Sequence, residues 1–127
     1  MISIKVSYGE LFDKISILKI KKVKLINPND IEKVSFELSL LTSTLSKLNI
    51  NNHDIDKLFS DLNKVNLKLW EIEDKIREKE RFNSFDEEFI ELARSVYKTN
   101  DKRSQIKKEI NLNLKSEVFE VKSYEDY

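Results

Sequence analysis

The chain is organised around residues 67–111, and within them around the run Leu92-Ala-Arg-Ser-Val-Tyr-Lys-Thr-Asn-Asp-Lys-Arg103. All four arginines of the protein lie in this stretch, at Arg77, Arg81, Arg94 and Arg103, and every other strongly basic residue is a lysine. The guanidinium group carries five donors in a planar fork that suits a carboxylate or a phosphate. This concentration of arginine therefore indicates where a binding site would lie.

An apolar repeat of helical period runs through the same stretch and then breaks. On the helix predicted for residues 54–81, the repeat has spacings of three and four, which is typical of a packed helical seam. Its members are Ile55, Leu58, Leu62, Val65, Leu69, Ile72 and Ile76. On the helix predicted for residues 85–115, Thr99 and Arg103 occupy two successive seam positions. We expect function where polar groups interrupt an apolar seam.

Two further helices precede this pair. Ser7-Tyr-Gly-Glu10 has the form of a capping box and predicts a helix over residues 8–26. Asn27-Pro28 ends that helix and begins another over residues 28–49. Short turns between four helices favour antiparallel neighbours, so the sequence predicts an all-α, antiparallel up-down four-helix bundle.

The last two predicted helices are longer than the first two, so their hairpin should extend past the body of the bundle. At the rise of an α-helix the projection would be about 15 Å. A projecting apolar seam provides a surface for self-association. We therefore expect a homo-oligomer, and most simply a dimer.

Both ends of the chain carry a two-residue period instead. Residues 2–6 alternate apolar and polar side chains, and residues 117–122 do the same, which is the pattern of a strand. We expect the two ends to pair as a two-stranded β-ribbon in a single domain that spans residues 1–127. A ribbon of two strands is only marginally stable by itself, so it would have to pack against the helices.

The composition is typical of a soluble helical protein, with 36% charged residues, one glycine and one proline. Lys and Arg balance Asp and Glu at 23 each, which argues against a nucleic-acid partner. The absence of cysteine excludes disulfides and thiolate metal sites. No apolar run reaches the ~20 residues of a membrane span. The N-terminus lacks the pattern of a signal peptide, so the expected location is the cytoplasm.

A polar layer is predicted between the last two helices. A hairpin that turns near residues 82–84 places Leu62 opposite Arg103, and Asn66 opposite Thr99 and Asn100. A buried guanidinium without a partner would cost several kcal/mol, so an acid or an anionic ligand must face it. The candidate acids of the chain are Glu10, Asp13, Asp101 and Glu109.

Two interpretations of this layer remain open at the level of sequence. The layer either binds an anion or fixes the helix register as a satisfied polar layer, and in the second case Arg103→Met should be tolerated or stabilising. The candidate ligand-binding residues are Arg103, Asn100, Arg94, Tyr97, Lys107, Asn66, Glu73, Arg77 and Asp101.

No metal or cofactor is expected. Glu71 with Asp74, and Glu88 with Glu91, are acidic pairs at a spacing that could hold magnesium between facing helices. The register of the seam turns the first pair away from the second, however, and a surface role is favoured. His53, the one histidine, lies in a predicted turn.

Three blocks of the sequence resemble a known family. They are Ser7-Tyr-Gly-Glu-Leu-Phe-Asp-Lys-Ile-Ser-Ile-Leu18, Leu69-Trp-Glu-Ile-Glu-Asp-Lys-Ile-Arg77 and Phe89-Ile-Glu-Leu-Ala-Arg-Ser-Val-Tyr-Lys-Thr-Asn-Asp-Lys-Arg103. They are similar to the bacterial and phage family catalogued as domain of unknown function 6165, and the resemblance covers nearly the whole chain. Its members often occur near surface-polysaccharide genes. The resemblance implies a helical accessory protein, acting in the host cytoplasm if it is phage-encoded, and supplies no reaction.

The sequence therefore favours a non-enzymatic module that binds a protein partner or senses an anionic small molecule. The alternative is a small all-α enzyme acting on a phosphorylated or dicarboxylate metabolite. In that case Arg103, Arg94 and Lys107 would bind the substrate, and Glu73 or Asp101 would be the acid-base group. Whether the protein is an enzyme stays open at this stage.

Overall fold

A computed structural model describes residues 1–127. It contains four α-helices: α1 (Tyr8–Lys24), α2 (Pro28–Lys47), α3 (His53–Arg81) and α4 (Glu87–Asn113). The all-α class predicted from the sequence is confirmed, and the helix packing is consistent with a bundle. No helix combines the length and the apolar character that a membrane span needs.

Local capping sets where each helix begins. The Ser7 hydroxyl accepts from the Glu10 amide at 3.1 Å and starts α1, as its capping box predicts. Asn27 and Asn52 cap α2 and α3 in the same way. At α4 the cap is Asp86, whose carboxylate accepts from the Phe89 amide and also pairs with Lys79. The fourth helix therefore begins at Glu87 rather than near residue 85.

The central element of the packing is α1, which contacts each of the other three helices. It crosses the α3/α4 hairpin, and the buried core of Phe12, Ile55, Leu62 and Ile110 lies at this crossing. Helix α2 packs along α1 without a close backbone approach to α3 or α4, and it contains no buried residue. The sequence predicts an apolar seam along α2, but α1 is the one helix whose backbone approaches α2 and can cover that seam.

The predicted β-ribbon was wrong, because the chain contains no strand. Residues 2–6 are exposed, and no backbone–backbone hydrogen bond joins them to residues 117–122. The C-terminal segment instead lies against α4, where Glu120 pairs with Lys107 and the Tyr127 hydroxyl donates to Asp101. A two-residue period shows only which side chains could share one face of a strand. Because no partner strand is in place, the side-chain contacts of Glu120 and Tyr127 position the C-terminal segment instead.

Gly9 allows α1 to approach α4 closely. A Cβ atom at this position would lie 2.6 Å from the Lys107 carbonyl oxygen, which belongs to the backbone and cannot move aside. The Gly9 amide also donates to the Asn111 side-chain oxygen at 2.6 Å. Its φ angle is not positive, so space and not backbone conformation requires glycine here.

The substitution Gly9→Ala should therefore destabilise the protein. Alanine in place of glycine normally stabilises a helix by about 0.4–1 kcal/mol, but here overpacking should cost about 1–3 kcal/mol. Urea unfolding measures the difference, with the exposed position Lys14→Ala as the control. A gain in stability for Gly9→Ala would contradict the close α1–α4 approach.

Candidate functional site: a charged layer where three helices cross

The carboxylate of Asp13 is the centre of the site. Asp13 is 1% exposed and lies in the middle of α1. The Arg103 guanidinium of α4 binds it in a bidentate manner, with Nε donating to Oδ1 at 2.9 Å and Nη2 donating to Oδ2. The Asn66 amide of α3 donates to the same Oδ1 at 3.0 Å and lies 3.0 Å from the Ser16 hydroxyl. One carboxylate therefore connects three helices.

Lys107 extends the site towards the C-terminal segment. Its side chain is 11% exposed, and its Nζ atom lies 3.0 Å from Glu10, 3.0 Å from Glu120 and 3.6 Å from Asp13. Glu120 reaches it from the C-terminal segment, which lies outside the helices. We call the set Glu10, Asp13, Ser16, Asn66, Arg103, Lys107 and Glu120 the charged layer.

Helical spacing explains how these side chains come together. Glu10 and Asp13 are three residues apart on α1, and Arg103 and Lys107 are four apart on α4, so each pair lies on one face of its helix. Asn66 takes a buried position of α3 that an apolar residue would otherwise fill. The close approach at Gly9 brings the two charged faces within hydrogen-bonding distance.

The electrostatics favour the charged forms of these groups. Burial of the Asp13 carboxylate raises its pKa, but hydrogen bonds from Arg103 and Asn66 and the positive charges nearby outweigh this effect, so the pKa lies below its ordinary value of 3.8. Burial alone would lower the pKa of Lys107, yet hydrogen bonds to Glu10 and Glu120 leave it raised. The hydrogen bond to Lys107 lowers the pKa of Glu120. Asp13, Lys107 and Glu120 are thus held in their charged forms at neutral pH.

Carboxylates of the chain itself neutralise both cations of the layer. Arg103 and Lys107 face the carboxylates of Glu10, Asp13 and Glu120, and no buried side-chain polar atom lacks a hydrogen-bond partner. No group of three or more His, Cys, Asp or Glu side chains is arranged to hold a metal ion. The arrangement can hold three helices in one register without any ligand.

The structure divides the predicted site residues into three groups. Arg103, Lys107 and Asn66 belong to the charged layer, and Asn100 accepts from Arg103 at 3.5 Å beside it. Tyr97 and Asp101 lie against the end of the C-terminal segment, where both contact Tyr127.

The remaining three residues lie apart from the layer. Arg94 pairs with Glu91 at 3.2 Å on the surface of α4. Arg77 pairs with Glu73 at 3.4 Å on α3, where the Arg77 side chain is largely exposed and the Glu73 side chain about half exposed. None of the three forms a hydrogen bond or an ion pair with a residue of the charged layer.

Sequence reasoning named Asp13 among four possible partners of Arg103 but could not select it. A signal was present, because Asp13 lies between the apolar residues Phe12 and Ile15 on the face that α1 buries. Of the other candidate acids, Asp101 accepts from Tyr127 and Glu109 accepts from Gln105. Ser16 and Glu120 were not predicted. Glu120 had no signal, since its role depends on the path of the C-terminal segment.

Burial of Asp13 changes the expectation, attached above to a register layer, that Arg103→Met is tolerated or stabilising. Removing the guanidinium leaves a buried carboxylate short of its main partner, so this variant should lose about 3 kcal/mol of unfolding free energy. The double variant Asp13→Asn with Arg103→Met should recover part of that loss, because the amide retains a hydrogen-bonding site for Asn66 without a charge. Urea unfolding of both singles and the double gives the coupling. Additive losses would contradict a direct pairing.

The pKa of Asp13 also predicts how stability depends on pH. A carboxyl group whose pKa is lower in the folded state stabilises it fully above the unfolded pKa and loses this contribution as pH falls through the folded value. The unfolding free energy should therefore decline as the pH falls below about 3.8, the ordinary pKa of the carboxyl group. Denaturant titrations at several pH values measure the slope. The slope should be shallower in Asp13→Asn, and equal slopes would show that other carboxylates cause the decline.

Comparison with known proteins places the chain in a family without assigning it an activity. The sequence profile described as "Family of unknown function (DUF6165)" matches residues 2–127. No curated protein and no solved structure matches the chain. The match covers essentially the whole sequence, so the chain belongs to this family of unknown function.

Proposed function

We propose that the protein is a non-enzymatic interaction module that assembles with a second copy of itself through the distal part of the α3/α4 hairpin. We call residues 73–98 the arm. The expected location, from the sequence, is the cytoplasm.

The observation that carries the proposal is that the arm contains no buried residue. In chain order, Ile72 is the last buried residue of α3 and Thr99 is the first buried residue of α4. The apolar seam nevertheless continues between them, because Ile76, Phe89 and Leu92 are only half-buried. Two helices alone cannot cover both sides of such a seam, which normally requires further helices.

Large apolar side chains are also exposed at and near the tip of the arm. Phe82 is 74% exposed, Phe85 is 55% exposed and Ile90 is 48% exposed. Every hydrogen bond and ion pair between α1 and the hairpin lies at Asn66 or between Arg103 and Asn111, outside the arm. The arm therefore extends beyond the polar contacts that hold α1 on the hairpin.

The exposed surface of the molecule is large enough to form an interface with a second copy. The chain exposes 9408 Å², whereas a compact monomer of 15.1 kDa exposes about 7,100 Å². The excess of about 2,300 Å² exceeds the ~800 Å² that each partner loses in a standard interface. Part of the excess belongs to the extended segments at both ends, and the arm contributes the exposed side chains of Phe82, Phe85 and Ile90.

A second copy fits this surface. Two hairpins that pack across a twofold axis form a four-helix arrangement and bury both seams in one contact. The formal net charge of the chain is zero, so no long-range repulsion opposes the approach of two copies.

The alternative of an enzyme acting on an anionic metabolite has less support. Arg103 and Lys107, the cations that would bind its substrate, already face three carboxylates of the chain. An anionic substrate would have to displace them from a largely buried layer, at the cost of leaving their charges unpaired. The charged layer is better explained as the device that sets the helices in register.

The proposal predicts that Ile90→Glu converts a dimer into a monomer. Ile90 is exposed outside the internal seam of the hairpin, so the change leaves the monomer intact and places a charge in the interface. Light scattering after size exclusion should give about 30 kDa for the wild type, twice the chain mass of 15.1 kDa, and the chain mass for the variant.

The matched control is Val23→Glu, which makes the same chemical change at an exposed apolar position on α1. It should remain dimeric. A wild-type protein that stays at the chain mass across concentrations would refute self-association. Loss of the dimer in Val23→Glu with a dimeric Ile90→Glu would place the interface on α1 and not on the arm.

A further inference from the structure

The end of α1 carries a segment built only of lysine and aliphatic residues. It comprises residues 19–26, Lys-Ile-Lys-Lys-Val-Lys-Leu-Ile, and we call it the basic corner. Leu18 is the last buried residue of α1, so the basic corner lies past the buried part of this helix, where the chain turns into α2. It presents cationic and aliphatic side chains in equal number.

The lysines of α1 have no acidic partner in the structure. Between Asp13 and Asp30 the chain contains five lysines and no acidic residue. None of the five forms an ion pair, and Lys19 places its ammonium group over the Phe59 ring at 4.9 Å from the centroid. The two acids of α1 already belong to the charged layer. The positive charge of the basic corner is therefore free to act on a partner.

Two aliphatic side chains of the basic corner are almost fully exposed. Val23 is 81% exposed and Ile26 is 92% exposed. Lysine in the last turn of a helix interacts favourably with the negative end of the helix dipole, which explains the cations at this place. It does not explain why large aliphatic side chains lie in water between them. A partner that accepts both ammonium groups and aliphatic side chains explains the two features together.

The net charge of zero conceals an uneven distribution along the chain. Residues 14–29 carry five lysines and no acid, whereas residues 78–91 carry six acidic and two basic side chains. Screening at physiological salt limits the reach of an exposed charge to about 8 Å. The balance over the whole chain therefore does not prevent a local attraction between the basic corner and an anionic partner.

We propose that the basic corner docks on the surface of an anionic lipid membrane. Its ammonium groups lie at the level of the lipid phosphates, while Val23 and Ile26 enter the boundary between headgroups and acyl chains. Lysine suits this position, because its aliphatic stem stays in the apolar layer while the ammonium group reaches the phosphates. The protein binds this surface without crossing the bilayer.

A nucleic acid would use only half of this surface. Its phosphates attract ammonium groups but offer little to aliphatic side chains. The basic corner also contains no arginine to contact base edges and no aromatic residue to stack on bases. A bilayer interface takes up both kinds of side chain at once, so it is the partner that the composition favours.

The basic corner is separate from the arm. It shares no residue with residues 73–98, and membrane docking does not rest on self-association. Either proposal can therefore fail while the other stands.

The test is flotation of the full-length protein with two kinds of vesicle, one of phosphatidylcholine alone and one of phosphatidylcholine and phosphatidylglycerol in equal parts. The protein should bind the anionic vesicles and not the neutral ones. The triple variant Lys21→Gln, Lys22→Gln, Lys24→Gln should lower the partition coefficient roughly 100-fold, because each lysine near an anionic surface contributes about fivefold.

The matched control is the triple variant Lys57→Gln, Lys64→Gln, Lys68→Gln. It removes the same charge from exposed lysines of α3, which also form no ion pair, and it should bind as the wild type does. Circular dichroism checks that each variant keeps its helices.

The double variant Val23→Ser, Ile26→Ser separates a membrane from other polyanions, because it keeps every charge of the basic corner. It should bind the anionic vesicles roughly tenfold more weakly than the wild type. A duplex DNA of mixed sequence is titrated in parallel. Four results would each overturn the proposal: no binding of the wild type to anionic vesicles, equal losses in the two lysine triples, unchanged vesicle binding in the serine variant, or tighter binding to the duplex than to the anionic vesicles.

Discussion

The buried carboxylate of Asp13 is the constraint on which the rest of the structure depends. A charge in a nearly dry position requires well-placed donors and a nearby positive charge, and here Arg103 and Asn66 donate to Asp13 while Lys107 lies 3.6 Å away. Sliding α1 along the hairpin by one turn would break both contacts at once. Gly9 makes the arrangement sterically possible, because it brings the backbones of α1 and α4 together one turn before Asp13.

This constraint divides the molecule into the region where α1 packs on the hairpin and the distal part of the hairpin, residues 73–98. The crossing contains the core of Phe12, Ile55, Leu62 and Ile110 together with the polar contacts between helices. The arm repeats the same apolar period but contains no buried residue. Helix α2 is also unusual, since its backbone approaches only α1 and it contains no buried residue. This small core and the large uncovered helical surface support the self-association proposed above.

The C-terminal segment depends on the charged layer in a different way. Glu120 adds a carboxylate to a set of charges that is already balanced, and the remaining contacts of the segment are at its far end. Its position follows from side-chain anchors and not from backbone pairing. The segment contributes no residue to the buried core, whereas the loss of Asp13 or Arg103 would disturb three helices.

The sequence by itself determined the helices and the place where their seam is interrupted. Helical period, capping residues and the polar positions at Asn66, Thr99 and Arg103 are local properties that a single chain segment carries. Only the tertiary structure decided that Asp13 pairs with Arg103, that the backbone of α2 approaches only α1 and that the two ends form no strand pair. These outcomes depend on distances between segments far apart in the chain, where several acids and several apolar faces are equally suitable until the backbones approach each other.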